Sequence, residues 1–195
     1  MNRRGFTLLE IMVATALFTI VMGVIFSMSL GFASSAEVQE IKIVTTEEAR
    51  RALMILAPRL RQAARNSINW DDLPGDSITF RMATDLSGNG TAVDADGNIE
   101  LTAPLTAQRD VDDANEDGMT LTQLVLIDDD DVRMLANNLE TGPAPAAPGA
   151  DVPANVGFWV RPRNNGLEVT VRAEGRTRRG RVLNTLITEY IVPRN

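Results

Sequence analysis

The sequence predicts an α+β chain in which one long N-terminal helix packs on an antiparallel β-sheet with acidic loop insertions. Three observations support this class. Residues 11–36 carry no charged side chain. An apolar stripe at helical spacing continues from this run to Ala63. Near the C-terminus, two runs of strand-like residues are joined by a basic turn, which is typical of a β-hairpin.

The uncharged run begins after Glu10 and ends before Glu37, a length of 26 residues. At about 1.5 Å per residue, a helix of that length spans ~39 Å, enough to cross a hydrocarbon core of about 30 Å. Glu10 lies at the start of this apolar segment, five residues after Gly5. A carboxylate near the membrane interior costs about 2.5–3.5 kcal/mol, so such a residue usually has a partner and a function.

The segment Gly5-Phe6-Thr7-Leu8-Leu9-Glu10 resembles the cleavage and methylation site of type IV prepilins and type II secretion pseudopilins. In that family a prepilin peptidase cleaves after the glycine and N-methylates the new terminal phenylalanine. The resemblance therefore implies a leader over residues 1–5, cleavage between Gly5 and Phe6, and N-methylation of Phe6. It also implies that Glu10 is the assembly residue, which pairs with the positively charged terminus of a neighbouring subunit.

This segment has two alternative interpretations. One is a signal anchor that happens to contain a glutamate, which is disfavoured because an unpartnered Glu10 is costly in the membrane. The other is a secretory signal peptide cleaved after Ala36. The apolar run exceeds the usual 7–15 residues of such peptides and carries Glu10. The two cleavage sites predict mature chains that begin at Phe6 or at Glu37.

The resemblance also implies a pilin-like domain organisation. Residues 6–35 form the transmembrane half of the helix, which becomes filament core after assembly, and residues 36–195 form a periplasmic globular domain. Within that domain, residues 36–68 continue the helix and residues 76–195 form the β-sheet region, with loops at 84–97, 110–118 and 142–155. The helix face expected to be buried consists of Val38, Ile41, Ala49, Ala52, Leu53, Leu56, Leu60 and Ala63.

Alternating apolar and polar residues predict the strands. In the C-terminal hairpin, Leu167, Val169 and Val171 are expected to face the core, with Glu168 and Thr170 facing solvent. This layout resembles larger minor subunits of the J-type pseudopilin or PilW-type minor pilin kind. The predicted strands are Ser77–Ala83, Asn98–Thr102, Met119–Ile127, Val132–Leu135, Val156–Arg161, Leu167–Ala173 and Val182–Val192.

Composition excludes several function classes. The chain has no cysteine and no histidine, so disulfides, imidazole metal sites and His-based acid–base or nucleophilic catalysis are absent. It also lacks a phosphate-binding loop motif. The net charge is −7, with arginines of the C-terminal part interleaved among strand residues, so no nucleic-acid binding is predicted. The chain is predicted not to be an enzyme and to require no cofactor.

Two acidic loops are candidate calcium sites. Asp85, Ser87 and Asn89 place oxygen side chains at the first, third and fifth loop positions, with Asp96 at the twelfth. Asp113, Asn115 and Asp117 repeat the first half of this pattern. Because Asp, Asn and Gly also favour β-turns, the alternative is a set of solvated turns without a bound ion.

The function expected from the resemblance is that of a minor pilin or minor pseudopilin, a structural subunit at the initiation point or the tip of a type IV pilus or type II secretion pseudopilus. The implied partners are other pilins or pseudopilins, the prepilin peptidase, the inner-membrane assembly platform and, before assembly, the lipid bilayer. The implied location is the bacterial inner membrane, with one membrane pass. The alternative of another class is a pilin-anchored tip adhesin or binding module that uses the acidic surface.

Overall fold

The computed structural model describes residues 7–129, 131–142 and 153–194. The predicted leader, Phe6 and most of the predicted loop at 142–155 lie outside these residues. The chain divides into two compact units, Met1–Glu40 and Ile41–Asn195. Within the described residues there is one α-helix, α1, which runs over Leu8–Gln62 and contributes residues to both units.

Over its described residues 7–40, the first unit consists of Thr7 and the part of helix α1 that begins at Leu8. Every large apolar side chain from Leu8 to Phe32 is at least 50% exposed within the chain. By length and composition α1 can cross a membrane. A helical surface so apolar requires lipid or protein around it.

In the second unit, the C-terminal part of α1 packs on β-sheets through one face. Its buried residues repeat every three or four positions, which confirms the predicted stripe from Ala49 to Leu60. The sheet approaches the helix closely at Gly175, where an added Cβ would lie 2.5 Å from Ile41 Cγ2. The buried helix residues are Thr45, Ala49, Ala52, Leu53, Leu56, Ala57 and Leu60.

The prediction that the helix extends to residue 68 was wrong, because α1 ends at Gln62. Immediately after Gln62, backbone hydrogen bonds are made to distant segments of the chain, as in a β-sheet. The backbone N–H of Ala64 donates to the carbonyl of Arg81, and the carbonyl of Ala63 accepts from the N–H of Arg194. Pro58 does not end the helix, which continues for one more turn.

The strands form two antiparallel sheets rather than the single sheet predicted. The first sheet has four strands in the order β1 (Ser77–Phe80), β2 (Leu105–Arg109), β3 (Leu124–Asp128) and β4 (Asp131–Ala136). The second has three strands in the order β5 (Phe158–Arg163), β6 (Gly166–Arg176) and β7 (Val182–Ile191). Isolated bridges from Gly75 to Val160 and from Leu139 to Ala173 join the sheets, which share one core with α1.

Several details of the strand prediction were wrong. Strand β1 ends at Phe80 rather than at Ala83, and β3 begins at Leu124 rather than at Met119. Residues 98–102 form only isolated bridges, Val93 with Ile99 and Ala83 with Leu101, because the intervening turns leave too few residues for a ladder. Strand β2 was not predicted. It pairs with β1 and β3 on its two sides and buries Leu105, Ala107 and Arg109, so its stability comes from its neighbours rather than from its own sequence.

The β6–β7 hairpin is present as predicted, but both faces of β6 are buried. Leu167, Val169 and Val171 face the core, whereas Glu168 and Thr170 are buried on the opposite face rather than exposed. Their burial is compensated by polar partners on the flanking strands: Thr170 hydrogen-bonds Thr188 at 3.0 Å. The buried charge of Glu168 is likewise compensated, in this case by positively charged side chains.

The Glu168 carboxylate is paired with two arginines of β5. Its Oε1 lies 2.5 Å from Arg161 Nη2 and its Oε2 lies 2.5 Å from Arg163 Nη1. Burial tends to raise the pKa of Glu168, but the hydrogen bonds and positive charges of Arg163 and Arg161 outweigh burial and hold the pKa below its ordinary value. Deprotonated Glu168 therefore stabilises the folded second sheet.

We expect Glu168→Gln to lower the free energy of unfolding by about 1.5–3 kcal/mol at pH 7, since it replaces charge-assisted hydrogen bonds by neutral ones. Because the folded-state pKa is depressed, this contribution is present above the unfolded pKa of about 4.3 and is lost as the pH falls through the lower folded value. Denaturant unfolding of the detergent-solubilised chain, followed by tryptophan fluorescence, measures both effects.

The control is Glu174→Gln, because Glu174 pairs with Arg176, whose side chain is 71% exposed. This change is expected to alter stability by at most about 1 kcal/mol at either pH. An equal difference between Glu168→Gln and the unchanged chain at pH 3 and pH 7 contradicts the assigned ion pair.

Candidate functional site

The first turn of α1 holds Glu10 in a capping box. Thr7 precedes the first helical residue, and its backbone N–H donates to Glu10 Oε2 at 2.9 Å. The Thr7 hydroxyl donates to the same oxygen at 3.1 Å, and its Oγ1 lies 3.3 Å from the backbone nitrogen of Glu10. These reciprocal contacts satisfy two of the backbone N–H groups that a helix leaves unpaired at its N-terminus.

The capping box leaves half of the carboxylate uncommitted. Both contacts from Thr7 use Oε2, and Glu10 Oε1 accepts no hydrogen bond from any residue that the structure describes. The carboxylate also lies at the N-terminal, positive end of the helix dipole. Glu10 is thus fixed in position while one oxygen stays available to a second donor.

The role of Thr7 was not predicted from the sequence, although the signal was present. Thr7 and Glu10 have the T-x-x-E spacing of a capping box and directly precede an apolar run. The predicted processing residues, Gly5 and Phe6, lie outside the described residues. Cleavage between them and methylation of Phe6 stay predictions.

Four hydroxyl groups of the apolar segment form hydrogen bonds within the helix. The hydroxyls of Thr15, Thr19, Ser27 and Ser34 each donate to a backbone carbonyl three or four residues earlier, at 2.7–2.9 Å. Such hydroxyls therefore add little cost in an apolar environment. Glu10 is the one charged side chain among residues 7–36.

In the first acidic loop, two of the predicted calcium ligands, Asp85 and Asn89, accept hydrogen bonds from loop backbone N–H groups. Asp85 Oδ1 accepts from the N–H groups of Gly88 at 2.7 Å and Asn89 at 3.0 Å, and its Oδ2 accepts from Gly90 at 2.7 Å. Glu100 accepts from the N–H of Ser87 at 3.1 Å, and hydrogen bonds from Ser87 lower the pKa of this carboxyl. The loop is therefore closed by its own acids.

The second acidic loop is organised in the same way. The Asp113 carboxylate accepts from the N–H of Gly118 at 3.0 Å. Asp117 accepts from the side-chain amide of Gln123 at 2.6 Å and from the N–H of Met119 at 2.8 Å, and these hydrogen bonds lower the Asp117 pKa. Asn115 donates to Gln123 Oε1 at 2.7 Å. Each predicted ligand thus has a protein partner within the loop.

Among the described residues, no three acidic side chains lie close enough to hold a metal ion together. Calcium needs six to eight oxygen ligands, and here the carboxylates of Asp85, Asp113 and Asp117 already accept hydrogen bonds from nitrogen donors. A bound ion would have to compete with these donors. Calcium at either loop stays a prediction of the sequence.

Because binding would exchange three N–H donors of Asp85 for the ion, we expect calcium affinity no tighter than about 10⁻⁴–10⁻³ M at this loop. Calorimetric titration of the full-length chain in detergent measures it. Asp85→Asn is expected to remove the heat from this loop, whereas Asp128→Asn, at the end of β3, is the control that retains it. Titration without heat at millimolar calcium contradicts the prediction for both loops.

One segment of the chain matches a known family model. Residues 1–26 match the family model described as the prokaryotic N-terminal methylation motif. This range contains the capping box of Thr7 and Glu10 and much of the uncharged part of α1. Neither a curated protein nor a solved structure gives a significant match to the chain.

Proposed function

We propose that this chain, whose N-terminal methylation motif supports membership of the type IV pilin and pseudopilin family, is a minor subunit that initiates or caps a type IV pilus or a type II secretion pseudopilus. Processing between Gly5 and Phe6 precedes assembly, and Phe6 becomes the N-methylated terminus. The observation that carries the proposal is the position of Glu10, held in the first turn of α1 with Oε1 uncommitted.

The physical argument starts from the cost of the carboxylate. Burying Glu10 in the membrane costs about 2.5–3.5 kcal/mol. Two opposite unit charges 4 Å apart attract by about 4 kcal/mol at an effective dielectric constant of 20, which is enough to offset that cost. The α-amino group created at Phe6 keeps its positive charge when methylated. Approach of this amine from a neighbouring subunit to Glu10 Oε1 completes the pair.

The exposed apolar surface of α1 supplies the remaining driving force. Its large side chains from Leu8 to Phe32 are covered by lipid before assembly. Lipid tails and side chains are similarly apolar, so transfer into a filament depends on close packing between helices and on polar contacts. The Glu10 pair is the polar contact that fixes the register of neighbouring helices.

The proposed orientation places residues 36–195 in the periplasm. The basic leader residues Arg3 and Arg4 favour a cytoplasmic N-terminus under the positive-inside rule. The partners are other pilins or pseudopilins, the prepilin peptidase that removes the leader, and the inner-membrane assembly platform. The assignment to a minor subunit rests on the large β-sheet region with two acidic loops, as in the larger minor subunits that the layout resembles.

N-terminal mass spectrometry of the protein purified from its native membrane tests processing. We expect a mature chain that begins with N-methylated Phe6, because the residues around Gly5 match the processing motif. A chain that begins at Glu37 supports the signal-peptide interpretation instead. That cleavage would also cut α1 in its interior, since the helix continues through Ala36 to Gln62.

Two substitutions at Glu10 separate its charge from its capping role. Glu10→Gln keeps a side chain that can form a capping box, whereas Glu10→Val removes both cap and charge. We expect both variants to insert and to be cleaved, but to enter filaments poorly, since neither carries the negative charge that pairs with the amine. Immunoblotting of sheared filaments against membrane fractions measures incorporation.

The matched control is Glu40→Gln, which changes another glutamate of α1 and is expected to leave incorporation unchanged. If Glu10→Gln incorporates as well as the unchanged chain, the cap rather than the charge is what assembly requires. That outcome contradicts the proposed ion pair.

A further inference from the structure

In the second unit, an apolar groove of about 370 Å³ lies between the C-terminal part of α1 and strand β7. Its apolar lining consists of Leu53, Met54, Ala57, Pro58 and Ile187. Strand β7 is an edge strand of its sheet, so the groove opens at the boundary of the β-structure. The Met54 side chain is 76% exposed, so it extends the apolar surface of the groove into solvent. Exposed apolar surface of this kind is typical of an interaction site.

The charged residues of this groove leave an excess positive charge. Arg61 is paired with Glu189, so these two charges compensate each other. Arg50 also lines the groove, is exposed, and makes no ion pair within the described part of the chain. An occupant that covers the apolar lining and brings a carboxylate to Arg50 therefore fits this surface.

The β2–β3 loop, residues 110–123, has the complementary chemistry. It exposes three large apolar residues, Val111 at 51%, Met119 at 43% and Leu121 at 37%. Its carboxylates differ in availability, because Asp113 and Asp117 are bound inside the loop. Two further carboxylates, on Asp112 and Glu116, are exposed and form no ion pair with any described residue.

The backbone of this loop holds its apolar side chains outward. Leu121 has a φ of 64°, a left-handed conformation that a non-glycine residue seldom adopts. Its N–H donates to the carbonyl of Asp110 at 2.6 Å, which fixes that conformation. The loop therefore presents Leu121 in a defined position rather than as a disordered side chain.

We propose that the groove between α1 and β7 binds the β2–β3 loop of a second copy of this chain. Met119 and Leu121 cover Met54 and the apolar lining, and Asp112 or Glu116 pairs with Arg50. The two surfaces differ, so the contact between the two copies is heterologous rather than a symmetric closed dimer. Both surfaces lie in the second unit, so this contact does not depend on the pairing proposed for Glu10.

Disulfide cross-linking tests the contact directly, because the chain contains no cysteine. Full-length copies with Met54→Cys and with Leu121→Cys carry different epitope tags, are produced together and are oxidised in isolated membranes. We expect a mixed dimer that contains both tags. The control pairs Leu121→Cys with Val182→Cys, which is also on β7 and is 45% exposed, and its mixed-dimer yield is expected to be several-fold lower.

A charge reversal tests the role of Arg50. Arg50→Glu in the Met54→Cys copy is expected to lower the mixed-dimer yield several-fold, because it brings like charges together. Replacing Asp112 and Glu116 by arginine in the Leu121→Cys copy is expected to restore the yield. Restoration separates a charge contact from a loss of folding, which a second change elsewhere would not repair.

Several outcomes overturn the proposal. They are a mixed-dimer yield equal to that of the Val182 control, a predominance of 54–54 disulfides, and a charge reversal without effect. The cross-link is also expected to persist with Glu10→Val in both copies. Its loss in that background alone overturns the independence of the contact, whereas its absence in both backgrounds overturns the docking and leaves the Glu10 pairing untouched.

Discussion

Glu10 is a charged residue at the start of the apolar part of α1, and Thr7 holds its carboxylate in place through two hydrogen bonds to Oε2. This arrangement reconciles two requirements that otherwise conflict. A lone carboxylate is expensive in lipid, but the first turn of a helix needs acceptors for its unpaired N–H groups. Oε2 accepts the hydrogen bonds of the helix start. Oε1 has no donor among the described residues, so part of the cost of placing the carboxylate in lipid remains until a donor from another subunit binds it. The same residue thus stabilises the helix start and favours association.

Helix α1 shows how one secondary structure serves two environments. Up to Phe32 its large side chains are exposed, and its hydroxyls bond back to the helix backbone. From Ala49 onward its sequence alternates alanines and leucines on one face with charged residues on the others. The small residues let the sheets approach, while Leu56 and Leu60 fill the core with no exposed surface. The change follows from side-chain chemistry alone, because no break in helical structure accompanies it.

Sequence reasoning succeeded where one local pattern determines the structure. The apolar stripe of α1 and the β6–β7 hairpin are examples, since both combine a clear period with flanking turn residues. Sequence reasoning failed where residues distant in the sequence determine the structure of a segment. Strand β2 is defined by pairing on both sides, and Glu168 is buried because Arg161 and Arg163 come from the adjacent strand to compensate it. The candidate assembly residue Glu10 could be named from the motif, but its uncommitted Oε1 could be recognised only from the hydrogen bonds of Thr7.

The acidic character of the chain has a structural explanation at several positions. Asp85, Asp113 and Asp117 accept backbone or amide N–H groups and shape the loops that contain them, so their number alone does not indicate a cation. Asp112 and Glu116 differ from these acids, because they are exposed beside apolar residues and form no ion pair with any described residue. Their position is the one that suggests a contact with another molecule.

Both proposed contacts, amine to Glu10 and loop to groove, join unlike surfaces and therefore propagate in one direction. A subunit inside a filament uses both of its surfaces for each contact, whereas a subunit at the tip uses only one of the two. An unfilled groove or an unfilled loop in the assembled state would therefore distinguish a terminal position from an internal one.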